Sequence, residues 1–101
     1  MKRLLLAAFL TLLAGTAAAH YPVCGCKKID GGKIRCIGGF SDGSTAPGVT
    51  IDVIGYDEQI LVHGKTDEAS TFEFAIPEGE YYVLFDAGPG HTIEIDHADI
   101  P

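Results

Sequence analysis

Four histidines and three cysteines carry most of the chemical potential of this chain, and their positions decide what they can do. His20 follows a segment laid out like a secretory leader. Lys2 and Arg3 precede an apolar run from Leu4 to Leu13, and small residues then lead to Ala17-Ala18-Ala19. Cleavage after Ala19 makes residues 1–19 a signal peptide and His20 the first residue of the mature chain. A terminal histidine offers two nitrogens from one residue, the α-amine and the imidazole, and the pair can chelate a transition-metal ion. Signal cleavage has no rule against histidine, so the same residue also reads as an accident of processing.

Cys24, Cys26 and Cys36 all follow the leader. They are therefore expected to meet an oxidising compartment, periplasmic or secreted, where disulfides persist. An odd number leaves at least one for a thiol, a metal or another chain. Cys24 and Cys26 share one face of a strand. If residues 30–32 form a three-residue hairpin loop, Ile29 faces Lys33 and Cys26 falls opposite Cys36. A directly opposed pair is bridgeable at a non-hydrogen-bonded site, which predicts a Cys26–Cys36 disulfide with Cys24 free. A slip of one residue would remove that pairing. The alternatives are that Cys24 and Cys26 bind a soft metal beside His20, or that the thiols are unpaired in the core. C-x-C alone is a weak metal signal.

Among the other histidines, His91 closes the loop Ala87-Gly88-Pro89-Gly90, whose glycines permit a tight turn that exposes the next side chain. His63 lies in a strand and reads as a surface or edge residue. His97 sits near the C-terminus between Asp96 and Asp99 and reads either as a metal ligand or as part of a solvated tail. No catalytic constellation accompanies them. Ser41, Ser44 and Ser70 lie in turns without G-x-S-x-G, and no H-E-x-x-H, P-loop or Rossmann glycine pattern is present. The chain is expected not to be an enzyme. Asp67-Glu68 and Glu78/Glu80 fall in turns, where carboxylates are solvated or cap the backbone.

The elements that must position these residues read as strands. They are expected at 23–29, 33–40, 50–56, 60–65, 71–76, 81–85 and 92–96, separated by turns rich in Gly, Pro, Asp and Ser. Phe72, Phe74 and Ile76 alternate inward, as do Ile51 with Val53 and Ile93 with Ile95. Residues 81–85 are nearly all apolar and suggest a strand buried on both faces. Gly25, Gly38 and Gly39 suggest bulges or close backbone approach. Seven short strands with frequent turns predict an all-β fold, a small antiparallel β-sandwich spanning residues 20–101 as one domain. A domain this small often needs a disulfide, a metal or a partner for stability.

The fourteen Asp and Glu residues all lie beyond residue 19, with only five Lys and Arg, for a net charge of −9 there. This argues against nucleic acid as a partner, since phosphate binding needs a basic footprint. It suits either simple solubility or a carrier that attracts cations. The leader's apolar run is too short to span a bilayer and no later segment is apolar enough, so the mature chain is expected to be soluble.

Two blocks carry a resemblance. One is Gly39-Phe40-Ser41-Asp42-Gly43-Ser44 with Ala46 and Gly48. The other runs through G-K-T-D-E from Gly64, F-x-F-x-I-P-E-G-x-Y from Phe72 and V-L-F-D-A-G-P-G-H from Val83. Together they resemble the small periplasmic accessory proteins encoded with energy-coupling-factor nickel/cobalt transporters. More broadly they resemble the carboxypeptidase-regulatory-like (transthyretin-like) β-sandwich. The resemblance implies a metal site on His20 and His91, nickel or cobalt as the ion, and membrane subunits of a metal transporter as partners. The chain is expected to depart from the group in having no C-terminal transmembrane helix, which some members carry, and in the three cysteines of its first hairpin, where apolar or aromatic residues are more usual. The cysteines leave room for a thiolate in the site and for copper as the metal.

Three readings follow. In the first, His20 supplies two nitrogens, His91 a third, and Cys24 or a carboxylate a fourth donor. Nitrogen-rich square-planar coordination suits Ni²⁺ or Cu²⁺. This requires the first and last strands to bring residues 20 and 91 to one end of the sandwich. In the second, the chain is a non-catalytic interaction module that docks on another envelope protein. In the third, it is a copper redox enzyme using an N-terminal histidine brace, a reading opposed by its small size and its oxidisable cysteines.

Overall fold

A computed structural model describes residues 20–101; the expected signal peptide, 1–19, lies outside the described residues. The chain forms seven strands: β1 (Pro22–Ile29), β2 (Lys33–Phe40), β3 (Thr50–Gly55), β4 (Ile60–Lys65), β5 (Thr71–Ala75), β6 (Tyr81–Asp86) and β7 (Thr92–Asp96). A 3-10 turn, His97–Asp99, follows β7. The strands form a three-stranded sheet in the order β1-β2-β5 and a four-stranded sheet in the order β4-β3-β6-β7. Every pairing is antiparallel. Among the described residues no helix is long and apolar enough to cross a membrane.

The alternation in the sequence becomes the core between the sheets. Ile34, Cys36 and Phe74 from the first sheet meet Ile51, Val53, Val83 and Phe85 from the second, all buried. Ile93 and Ile95 pack against this cluster half-buried. Two expectations need correction. Ile76 is 39% exposed, because β5 ends at Ala75 and the Ile76 N–H turns away to donate to the Gly32 carbonyl. Strand β6 is buried on one face only: Tyr81, Val83 and Phe85 point inward, while Tyr82, Leu84 and Asp86 line the half-covered outer face. Its apolar run therefore covers both sides of a central strand without a second layer outside.

The glycines resolve differently from one another. Strands β1 and β2 pair without a bulge from Pro22↔Phe40 to Ile29↔Lys33, and the register shift falls in β3 between Val53 and Ile54. Gly38 marks close approach of the sheets, with the Phe85 ring resting where a side chain would begin, whereas Gly25 faces open space.

The loop from β2 to β3 carries the chain from one sheet to the other and is clamped in the middle. The Ala46 N–H donates to Ser70 Oγ (2.8 Å), and the Ala46 carbonyl accepts from Thr66 Oγ1 (2.5 Å). Thr66 Oγ1 also accepts from the Val49 N–H (2.9 Å). Thr66 and Ser70 are the buried polar residues of the described chain, and these bonds satisfy them. Asp67, between them, holds its own turn by accepting from the backbone N–H groups of Thr71 and Ala69 and from the Thr71 hydroxyl.

The topology gives the molecule two distinct ends. At one lie the start of β1, the end of β2, the start of β3, the end of β4, the start of β5, the end of β6 and the start of β7. The Gly38–Ser70 and Gly48–Thr66 backbone bonds extend the β2–β5 and β3–β4 ladders to this end, and the contact of Gly38 with Phe85 brings the two sheets together there. At the other end the Lys28 N–H donates to the carbonyl of Pro101, joining β1 to the segment after β7. Lys27, Lys28, Lys33 and Arg35 all ride on the β1–β2 hairpin, towards this second end.

Candidate functional site

His20 stands just before β1, and the loop after β2 holds it in place. The Tyr21 N–H donates to Ser41 Oγ (3.1 Å), and the Ser41 N–H returns a bond to the Tyr21 carbonyl (2.9 Å). The imidazole Nδ1 of His20 lies 3.2 Å from Asp42 Oδ2, and the His20 side chain is 60% exposed. Asp42 is itself fixed, since its Oδ1 accepts from the Ser44 N–H (2.9 Å) and the Ser44 hydroxyl (2.6 Å). These bonds from Ser44, with the His20 charge adding to them, hold the Asp42 carboxyl below the usual carboxylate range.

His91 occupies the tight β6–β7 connection. The Ala87 N–H donates to the His91 carbonyl and the His91 N–H to the Gly88 carbonyl. Gly88 and Gly90 both adopt positive φ, 118° and 75°, which the turn requires and which glycine permits. His91 Nδ1 lies 3.0 Å from the Pro89 carbonyl. A carbonyl only accepts, so in the neutral imidazole the proton sits on Nδ1 and the Nε2 lone pair is left for a ligand. Because β1 and β7 start at the same end of the molecule, His20 and His91 share that end.

The other expected ligands stand elsewhere. Cys24, opposite Gly38 on the inner face of β1, packs against the core. Burial pushes its thiol up to about 11, which disfavours the thiolate a metal needs. His97 belongs to the opposite end, where its ring lies against Tyr56 and Tyr81, so it does not join His20 and His91. Cys26 and Cys36 are directly paired across β1 and β2, with Cα atoms 4.0 Å apart, and are bridged as a disulfide. His63, on the edge strand β4, pairs with Asp52 across β3, Nδ1 to Oδ1, at 2.5 Å.

Among the described residues no three His, Cys, Asp or Glu side chains gather as a metal-binding group. The His20 end instead presents one histidine against one carboxylate, with a second histidine at the same end. The sequence reading missed Asp42 as a partner of His20. Its signal was the spacing of Asp42 and Ser44, an Asx-type turn that aims a carboxylate back at the chain. Two surface depressions lie away from this end. One is lined by Lys27, Lys28, Ile29, Asp30 and Arg35, and another by Tyr56, Leu61 and Glu78 to Glu80. No protein-family model matches the chain, and no significant match is found among curated proteins or solved structures.

Proposed function

We propose that the chain, processed to begin at His20, is a periplasmic metal-binding accessory that helps membrane subunits of a transporter take up nickel or cobalt. We assign its sandwich to the carboxypeptidase-regulatory-like type. The observation that supports this reading most is the common end of His20 and His91. The free Nε2 of His91 agrees with it. The terminal amine and imidazole of His20 supply two nitrogens and His91 a third, a donor set that suits Ni²⁺ and also Cu²⁺. Cys24 would join only by losing its proton among apolar neighbours.

The test is calorimetric titration of Ni²⁺, Co²⁺ and Cu²⁺ into protein starting at His20, beside protein with one extra residue before it. Tight binding that collapses when the amine is blocked supports the reading. Equal or absent binding in both removes it.

A second reading, a non-catalytic envelope module, draws on the outer face of the three-stranded sheet. Val23 and Ile37 are exposed there beside Lys27 and Arg35. It holds if a transporter or other envelope partner is bound equally well by variants lacking both His20 and His91.

A further inference from the structure

We propose that Asp42 is a metal ligand, the oxygen donor that completes the chelate begun by the His20 amine and imidazole. The inference rests on the metal reading above and names a residue which that reading does not contain.

The argument starts from the size of the chelate. An N-terminal histidine binds a metal through its amine and Nδ1, because these two atoms close a six-membered ring with the ion. Nδ1 is the ring atom that Asp42 faces, at 3.2 Å from Oδ2. Two donors at about 2.1 Å from one ion stand about 3.0 Å apart in square-planar geometry and about 3.4 Å apart in tetrahedral geometry. The His20–Asp42 separation falls between these values. An ion can therefore take both atoms with little movement of either residue.

The carboxylate is also prepared for the role. Both hydrogen bonds from Ser44 go to Oδ1, which fixes the plane of the group and leaves Oδ2 directed at His20. Ser44 thus orients a ligand from outside, as neighbours of metal ligands commonly do. The Tyr21–Ser41 bonds hold the His20 backbone against the same loop. Without the ion, Nδ1 and Oδ2 stand in ion-pair contact. When the ion takes the Nδ1 lone pair, the ring proton resides on Nε2, and Oδ2 takes the metal. His20 and Asp42 together bring three donors to the ion, because His20 contributes two of them.

The experiment uses Cu²⁺ as a probe with an electron paramagnetic resonance spectrum that reports the equatorial donors. Protein beginning at His20 is compared with its Asp42→Asn and Ser44→Ala variants and with the version extended by one residue. Melting curves show that each is folded. Asp42→Asn is expected to weaken Cu²⁺ binding by tenfold or more, on the order of the loss seen when a metal site loses a supporting group, and to shift the spectrum. Ser44→Ala keeps the carboxylate and is expected to give a smaller loss with the parental spectrum. If Asp42→Asn matches the parent in affinity and spectrum while the extended chain loses binding, Asp42 is not a ligand and the N-terminal metal site stands. If the parent itself fails to bind, both fall.

Discussion

Gly38 and Phe85 face each other across the two sheets so closely that a Cβ on Gly38 would stand 2.5 Å from Cε1 of the ring. Phe85 is fully buried and has no space to withdraw. Gly38→Ala is therefore expected to overpack the core and cost about 1–3 kcal/mol. Gly64 stands in the same relation to Phe72, whose ring is only half-buried and can tilt. Gly64→Ala should cost less. Urea unfolding of the two variants checks the order, and equal losses would contradict this account of the packing.

The disulfide and the third cysteine should separate cleanly. Removing the Cys26–Cys36 bridge is expected to cost about 2–4 kcal/mol. Cys24→Ser should leave the bridge intact. With its thiol pushed up to about 11 by burial, Cys24 is almost wholly protonated at pH 8 and should alkylate slowly in native protein. It should alkylate rapidly in denaturant. Mass spectrometry after iodoacetamide treatment reads both states. Rapid labelling of the native protein would mean that Cys24 is not buried as described.

Asp67 should make stability depend on acid pH. Its carboxyl is held below the ordinary value first by the Thr71 N–H, then by the Thr71 hydroxyl and the Ala69 N–H. A folded value lowered in this way adds stability above the unfolded value, near 3.9 by reference. That stability disappears as pH falls through the folded value. Melting temperatures between pH 7 and pH 3 should fall less steeply for Asp67→Asn than for the parent, from a lower start. Parallel curves would show that Asp67 carries no such linkage.

The clamp on Ala46 can be removed almost without changing volume. Thr66→Val leaves the Ala46 carbonyl and the Val49 N–H without their partner. Each unsatisfied buried group costs about 1–3 kcal/mol. The loss should exceed that of an exposed Thr→Val change. Hydrogen exchange should show the Val49 amide losing protection.

Much of this fold is legible because strand alternation and loop length are local. A three-residue loop at Asp30–Gly32 fixes the β1–β2 register and with it the Cys26–Cys36 pairing. Alternation places Phe74, Ile51 and Val53 inside. Contacts made across many residues are harder to read. Thr66 and Ser70 resemble any turn residues until the loop from β2 arrives and buries them. The His20–Asp42 contact needs the β1–β2 hairpin to bring a point 22 residues later in the chain back beside the start of β1. His97 carries the chemistry of a ligand, but the run of β7 delivers it to the end opposite His20 and His91.

Lys27, Lys28, Lys33 and Arg35, four of the five cations beyond residue 19, sit together on the β1–β2 hairpin. The strands of the three-stranded sheet set these four against Glu73, whereas those of the four-stranded sheet set Lys65 against Asp52, Asp86, Glu94 and Asp96. Charge is therefore divided between the two sheets of a chain that is acidic as a whole. Near a negatively charged surface such a field favours approach by the three-stranded face before any contact forms.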